Sequence, residues 1–549
     1  MRRWFSVVVL SLGLLSACAS LTPGAAPIRV RVLAINDFHG HLKPPSEGFS
    51  LPDPDNPQRP QRIAVGGAAH LATAVAQLGA GEVPSVFVAA GDLVGASPLL
   101  SAMFGDEPTI TSLSRMGLMA SAVGNHEFDQ GLAHLLHLQQ GGCERGDCRE
   151  RPPFAGAGFQ YLAASTFDSA TGKTVLPPYV IRYFSGVPVA FIGLSLRATP
   201  TMVVPAGVRG LTFADEAATV NALVPGLRAQ GVEAIVVLIH EGGWPVGQFN
   251  HCAGISGPIV DIVQRLDRAV DLVISGHTHQ AYTCRIDGRL VTSGDKFGTM
   301  VTQIDLTLDP HTRDVREAVA ENVLVRHDRF AADAGQTALI AKYEAHLGPL
   351  AQRPIGKLAA ALSREQEANG ESPLGRCVAD AQLAATRDAG AVLALTNPGG
   401  IRNSLALPAD GWVRYEALYA VQPFGNALQT LTLSGAQLQR LLEQQWQDPA
   451  KARILQVSQG FSYQWSEARP IGQRIVPGSL RLNGRAITPE MSLRVTVNAF
   501  LAGGGDRFSV LTEASEHQVG MQDVDALAAY FQVQGEVKPA RDVRIERVD

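Results

Sequence analysis

The amino-acid sequence predicts an α/β unit followed by a separate α+β unit, and three observations lead there. Apolar runs of strand length recur through the first half, each stopping at a polar, usually glycine-containing cluster; Val and Ile on both faces of these runs suit strands buried in a covered sheet. Helical patterns alternate with them, at Ala68 to Leu78, Thr219 to Gln230 and Gly257 to Leu266. The rhythm then gives way near residue 330 to a helical stretch, Asp333 to Leu347, that ends at Gly348-Pro349, and strands and helices restart beyond it. A chain of 549 residues exceeds what one hydrophobic core supports, so two or three domains are expected.

In chain order, Arg2 and Arg3 precede the apolar run Phe5 to Leu15, which is too short to span a bilayer and marks residues 1–17 as a signal peptide. The run closes on Leu15-Ser16-Ala17-Cys18, which resembles the lipobox of bacterial lipoproteins. Cys18 would then carry a lipid, with residues 18–27 as lipidated cysteine and tether, and the protein would sit on a membrane, on the periplasmic face of the outer membrane in a Gram-negative cell. Export implies an oxidising compartment. Cys143 and Cys148 bracket a short Gly-containing loop, and Cys252 and Cys284 flank the segment with His277 and His279, so each pair is expected to bridge. Cys377, in the apolar run Leu374 to Ala385, reads as a buried small hydrophobe.

Five strand-length runs set the chemistry. Val30 to Ile35 leads into Asn36-Asp37-Phe38-His39, Ser85 to Ala90 into Gly91-Asp92, and Ala120 to Val123 into Gly124-Asn125-His126-Glu127. Ala234 to Ile239 leads into His240, and Leu272 to Ile274 into Gly276-His277-Thr278-His279. Ligands of open α/β sheets collect outside the carboxyl ends of the strands, so these clusters are expected to share one rim. Carboxylates and an amide mixed with imidazoles suit Zn, Mn, Co or similar ions rather than Ca. They outnumber what one ion needs, and a shared carboxylate could hold two ions about 3.5–4 Å apart. Hydrophobic residues make up 46% of the chain and charged residues 18%, with a net charge of -5 and no block of like charge, which excludes a disordered chain and a nucleic-acid polymer as partner.

In that order, Asp37-x-His39, Gly91-Asp92, Gly124-Asn125-His126-Glu127, His240 and Gly276-His277-x-His279 resemble the motifs of the calcineurin-like metallophosphoesterases. The resemblance implies a β-sandwich flanked by helices (αββα) over residues 28–330. It implies that Asp37, His39 and His279 hold one divalent metal, that Asn125, His240 and His277 hold a second, and that Asp92 bridges them. It gives His126 a catalytic role on the phosphate, oriented by Asp129, with direct attack by a two-metal-activated water. Glu127 and Glu241, beside ligands, are expected to be support or salt-bridge groups, and His41 and His251 are assigned no role.

Residues 331–352 form the expected connecting helix and 353–549 the second unit, with helices at Pro373 to Asp388 and Ser434 to Gln447 and strands at Ala391 to Leu395, Leu428 to Leu433 and Leu493 to Val497. Three clusters stand out there: Asn397-Pro398-Gly399-Gly400-Ile401-Arg402, Gln422-Pro423-Phe424-Gly425-Asn426, and Asn498 to Asp506 with Phe500 in a Gly-rich run. Two rings could sandwich a nucleobase, Arg402 could neutralise a phosphate or ribose-side oxygen, and Asp506 could accept ribose hydroxyls. Together they resemble the C-terminal nucleotide-binding domain of 5′-nucleotidases and UDP-sugar hydrolases. That implies Phe424 and Phe500 as the stacking pair, Arg402 on the substrate, Asn397, Asn426 and Asp506 as polar contacts, and a swing of this unit toward the metals. Some relatives carry further arginines near its start; here Arg364 and Arg376 match no clear pattern. The expected activity is 5′-nucleotidase, by a monomer or dimer acting on nucleotides. The alternatives are 2′,3′-cyclic-nucleotide phosphodiesterase or UDP-sugar/dinucleotide hydrolase, and, outside enzymes, a nucleotide-binding surface lipoprotein.

Overall fold

Alternation along the strand Ile28–Ile35 sends Val30, Val32 and Ala34 to one apolar cluster and Leu33 and Ile35 to another, and both clusters are buried. A strand covered on both faces needs layers on both sides, and the computed structural model supplies them. It describes residues 26–45, 48–51, 60–143, 153–448 and 452–549; the signal segment, Cys18 and Cys148 lie outside these. Ile28–Ile35 pairs in parallel with Ser85–Ala89, which continues through Leu118–Ala122 to Gln160–Leu162. On its other edge it pairs antiparallel with Met300–Leu308, which pairs with Val315–Leu324.

A second six-stranded sheet is built around Ala234–Ile239, parallel to both Val187–Leu194 and Leu272–Ser275. The two sheets pack face to face through Val30, Val32, Ala34, Val88, Phe191, Val236, Leu238 and Ile274. Outside the first sheet lie helices Ala68–Leu78, Glu107–Arg115, Leu132–Gln140 and Ala334–Ala351; outside the second lie Glu216–Ala229 and Pro258–Arg265. The result is the four-layered αββα order. All five sequence-predicted runs are strands, with ends shifted by at most two residues.

The connecting helix spans Ala334–Ala351, running through the Gly348-Pro349 stop marked by the local pattern. Proline costs a helix one donor and crowds the preceding turn, but here it falls in the last turn, where Leu347 and Ala351 are buried and Gln352 N–H still reaches the Gly348 carbonyl.

The second unit centres on a five-stranded sheet in the order Gln456–Val457, Leu393–Thr396, Ser492–Asn498, Ala427–Ser434, Ser515–Gln522. Helices Pro373–Ala385 and Asp523–Gln534 pack on it. Ser434 caps the helix Gly435–Glu443 in a reciprocal capping box with Gln437. The two units meet through Tyr415 and Tyr419, which pack on the first unit's core, and through Lys43, which lies 3.2 Å from Glu344 of the connecting helix and 3.9 Å from Glu416 of the second unit. Among the described residues no helix is long and apolar enough to cross a membrane.

Candidate active site

The five strand ends converge as the rim rule predicts. Asp37, His39 and His279 form one group and Asp92, His240 and His277 another, each with its ligand-type atoms within 4.8 Å of one another. The Asp92 Oδ2 atom lies 2.9 Å from His240 Nε2 and 3.7 Å from His39 Nε2, so one carboxylate faces both groups. Asn125, next in sequence to the His126 N–H that Asp92 accepts, is buried, and its Oδ1 has no hydrogen-bond partner among the described residues. A buried carbonyl oxygen left unpaired costs free energy that a cation would relieve.

Local backbone geometry holds these groups at some cost. Asp37, His39, Asp92, His277 and His279 all adopt φ between 46° and 68°, the left-handed region, which costs about 1–3 kcal/mol per non-glycine residue and concentrates at functional sites. Gly124 must be glycine, since a Cβ there would stand 2.1 Å from Asp92 Oδ1. Glu127 accepts the backbone N–H groups of Asp92, Leu93 and Gly124 at 2.7–3.0 Å, tying two ligand loops together as expected of a support.

The imidazoles are presented through fixed nitrogens. His39 Nδ1–H donates to the Gly95 carbonyl and His240 Nδ1–H to the Ala90 carbonyl, both at 2.8 Å, which turns each Nε2 into the site. His39 Nε2 and His279 Nε2 face each other at 3.1 Å. Burial keeps both rings well below the usual imidazole range and therefore neutral, the form that ligates. Burial, with Asp92 adding to it and His240 opposing, pushes the Asp37 carboxyl up to about 7. Close-set carboxylate, amide and imidazole donors fit divalent cations.

His126 stands at the edge of this set. Its Nδ1 is 2.8 Å from Asp129 Oδ2, and its backbone N–H donates to Asp92 Oδ1 at 2.9 Å. Burial opposes its protonation, but Asp129 and Asp92 outweigh burial and hold the imidazole above its ordinary value.

Phe424, from the second unit, stacks on His126 with ring centroids 5.6 Å apart and planes 20° from parallel. The Arg402 guanidinium lies 5.7 Å from the Phe424 ring centre. Burial, and then the charge of Arg364, lower Arg402 to about 10. Asn397 donates to Asp506 at 2.8 Å, Asn426 hydrogen-bonds Asp523, and Phe500 is half-buried against Gly505. The predicted substrate residues thus come from three separate loops, and two of them reach the metal-ligand rim.

Several residues escaped the sequence reading. Phe297 N–H donates to the Asp37 carbonyl at 2.7 Å, and its ring stacks on His41 at 3.7 Å. A sixth strand, Arg289–Gly294, ends at Asp295-Lys296-Phe297-Gly298, so the same run-then-cluster rule would have found it. Arg364, unmatched in sequence, donates to the Arg402 carbonyl, whereas Arg376 lies 3.6 Å from Glu371 and 3.8 Å from Glu367. No local pattern distinguishes the two arginines. Cys252 and Cys284 form a disulfide; Cys143 is disulfide-bonded, and its expected partner Cys148 lies outside the described residues; Cys377 is buried and has no disulfide among the described residues.

The fold and the convergent donor set define a calcineurin-like phosphoesterase: the model of that family matches residues 30–281, and the model of the 5′-nucleotidase C-terminal domain matches residues 354–513. A cell wall protein of Listeria monocytogenes is 31% identical over 546 residues, 93% of this chain and 68% of the relative. An endonuclease of Bacillus subtilis is 29% identical over 92% of this chain, which spans only 39% of that protein's length. The crystal structure of a 5′-nucleotidase precursor from Thermus thermophilus superposes with a TM-score of 0.78 at 26% identity, covering 95% of this chain and all of the other. The chain belongs to the 5′-nucleotidase family, in which a metallophosphoesterase domain is joined to a nucleotidase C-terminal domain.

Proposed function

We propose that the protein is an exported 5′-nucleotidase that releases phosphate from nucleotides, with residues 28–330 as the catalytic domain and 353–549 as the substrate domain. The observation that carries the proposal is the contact of Phe424 with His126, because it sets a base-stacking ring from one unit against a phosphate-handling imidazole of the other. Asp37, His39 and His279 would hold one divalent cation and Asn125, His240 and His277 a second, with Asp92 between; Zn, Mn or Co suits these donors. Such cations supply Lewis-acid polarisation of a phosphoryl oxygen and make water more acidic.

The chain's own residues supply the remainder. His126, whose protonated form Asp129 favours across the 2.8 Å contact, donates a hydrogen bond to a phosphoryl oxygen where negative charge builds. Arg402 neutralises phosphate charge, and Phe424 with Phe500 grips the base. Asn397, Asn426 and Asp506 contact the sugar and base edges. Arg2 and Arg3, the run Phe5 to Leu15 and Cys18 support a lipid-anchored exported protein, and the likeness to a cell wall protein supports a surface location.

Assay of the mature protein on AMP, ATP, UDP-glucose, 2′,3′-cyclic AMP and NAD, with and without chelator, tests this. Chelator-sensitive release of phosphate from AMP at the highest kcat/KM is expected. Faster turnover of a cyclic nucleotide or a sugar nucleotide would replace the substrate assignment, and chelator-resistant turnover would sink the two-metal chemistry.

A further inference from the structure

Two of the three substrate-unit clusters, Asn397 to Arg402 and Asn498 to Asp506, are joined by a hydrogen-bond chain through one residue to which no role has been given. Asn498 is 1% exposed and ends the central strand Ser492–Asn498. Its Oδ1 accepts the backbone N–H of Leu501 at 2.9 Å, capping the short helix Ala499–Ala502 that carries Phe500. Its Nδ2 donates to Asn397 Oδ1 at 3.0 Å, and Asn397 Nδ2 donates in turn to Asp506 Oδ2 at 2.8 Å. Arg453 Nε stands 3.6 Å from the other Asp506 oxygen.

An amide side chain can point either way, and its neighbours decide which. Here both ends of the chain have fixed polarity: a backbone N–H only donates, and a carboxylate only accepts. The order Leu501 N–H to Asn498 to Asn397 to Asp506 is therefore the one arrangement that satisfies every member. Flipping Asn498 would set its NH2 against the Leu501 N–H, and flipping Asn397 would set an amide oxygen against a carboxylate. The chain also bears on a strained segment, since Asp506 and Arg507 sit at φ 53° and 68°.

We infer that Asn498 is a positioning residue for the substrate end: through this chain it fixes the orientation of the Asn397 amide and of Asp506 relative to the helix bearing Phe500. The inference rests on the nucleotide reading above, because it assigns the placed groups to base and ribose. Phosphate chemistry at the metal-ligand rim is untouched by it, so a substrate without base or ribose serves as an internal control.

Asn498→Ser keeps a good helix cap but loses the amide donor, and Asn498→Asp keeps both cap and volume while removing the donor. With thermal melts confirming folding, either variant is expected to raise KM for AMP about tenfold, with KM for p-nitrophenyl phosphate within about twofold of wild type. In an Asp506→Asn background the effect of Asn498→Ser on AMP is expected to shrink to about twofold or less, because the group it positions is already altered. Equal changes with both substrates, or the same fold-change in both backgrounds, would overturn the positioning role. A wild type that cleaves AMP while both Asn498 variants match it overturns this inference alone. A wild type that cleaves p-nitrophenyl phosphate but neither binds nor cleaves AMP overturns the nucleotide reading and this inference with it.

Discussion

Phe424 lies ring on ring with His126, 5.6 Å between centroids, although the two residues belong to different units of the chain. A ring that covers the imidazole in this arrangement must share or yield its place when a base enters. Phe424→Ala is therefore expected to raise KM for AMP by about tenfold, roughly the value of one lost base–ring stack, and to raise KM for p-nitrophenyl phosphate less. Steady-state kinetics on the two substrates decide it; equal effects refute the stacking role.

His126→Ala removes the imidazole and leaves the ligand-type groups in place. A positioned acid or hydrogen-bond donor contributes about 10²–10⁴-fold, so kcat is expected to fall by that factor with metal content unchanged. Asp129→Asn keeps the geometry of the 2.8 Å contact but removes the charge that favours protonated His126. A smaller fall in kcat is expected, together with a shift of the alkaline limb of the kcat–pH profile to lower pH.

Asp92 faces both donor groups through one oxygen, so Asp92→Asn is expected to cut metal content below the two ions per chain predicted for wild type, measured by elemental analysis after dialysis. A variant that retains two ions and full activity would show that the groups bind independently.

The site was legible because its grammar is local: a buried strand, a sharp turn that carries glycine at three of the five places, then a ligand-type side chain. Strand period placed Asp37 and Asp92 on one rim without knowledge of the sheet order. Asn498, Arg364 and Lys43 were not legible because their roles depend on partners far away in sequence. Asn498 meets Asn397 from 101 residues away, and Arg364 meets Arg402 from 38. The connecting helix outran its proline for a similar reason, since burial of Leu347 and Ala351 outweighs the local signal to stop.

Asp271 gives a pH test far from the chemistry. Burial, reinforced by Asp314, pushes its carboxyl up to about 8, while its Oδ2 accepts the Ile235 N–H at 2.8 Å. The folded state thus binds a proton that the unfolded chain releases near pH 4. The associated stability is present below that value and is lost as pH rises toward about 8. Asp271→Asn mimics the protonated carboxyl, so the variant is expected to gain on wild type in urea unfolding as pH is raised from 4.5 to 7.5. A difference between the two that does not change with pH would refute the assignment.

The Cys252–Cys284 bond, between residues 32 apart in sequence, ties the loop that follows His240 to the strand that follows His279. Thr283 Oγ1–H also donates to the Asn250 carbonyl at 3.0 Å, so the two segments are already in register and the bond acts chiefly by limiting the unfolded chain. Closing a loop of that length stabilises by about 3–4 kcal/mol in the chain-entropy model. Replacing both cysteines by serine is expected to lower the melting temperature of the first unit by on the order of 10 °C, with the second unit's transition unmoved. Because His240, His277 and His279 sit on the segments that the bond joins, the same variant should lose metal to a chelator faster at temperatures where it remains folded. Calorimetry and timed metal release check both, and a variant with unchanged melting and unchanged release would show that backbone packing alone braces the site.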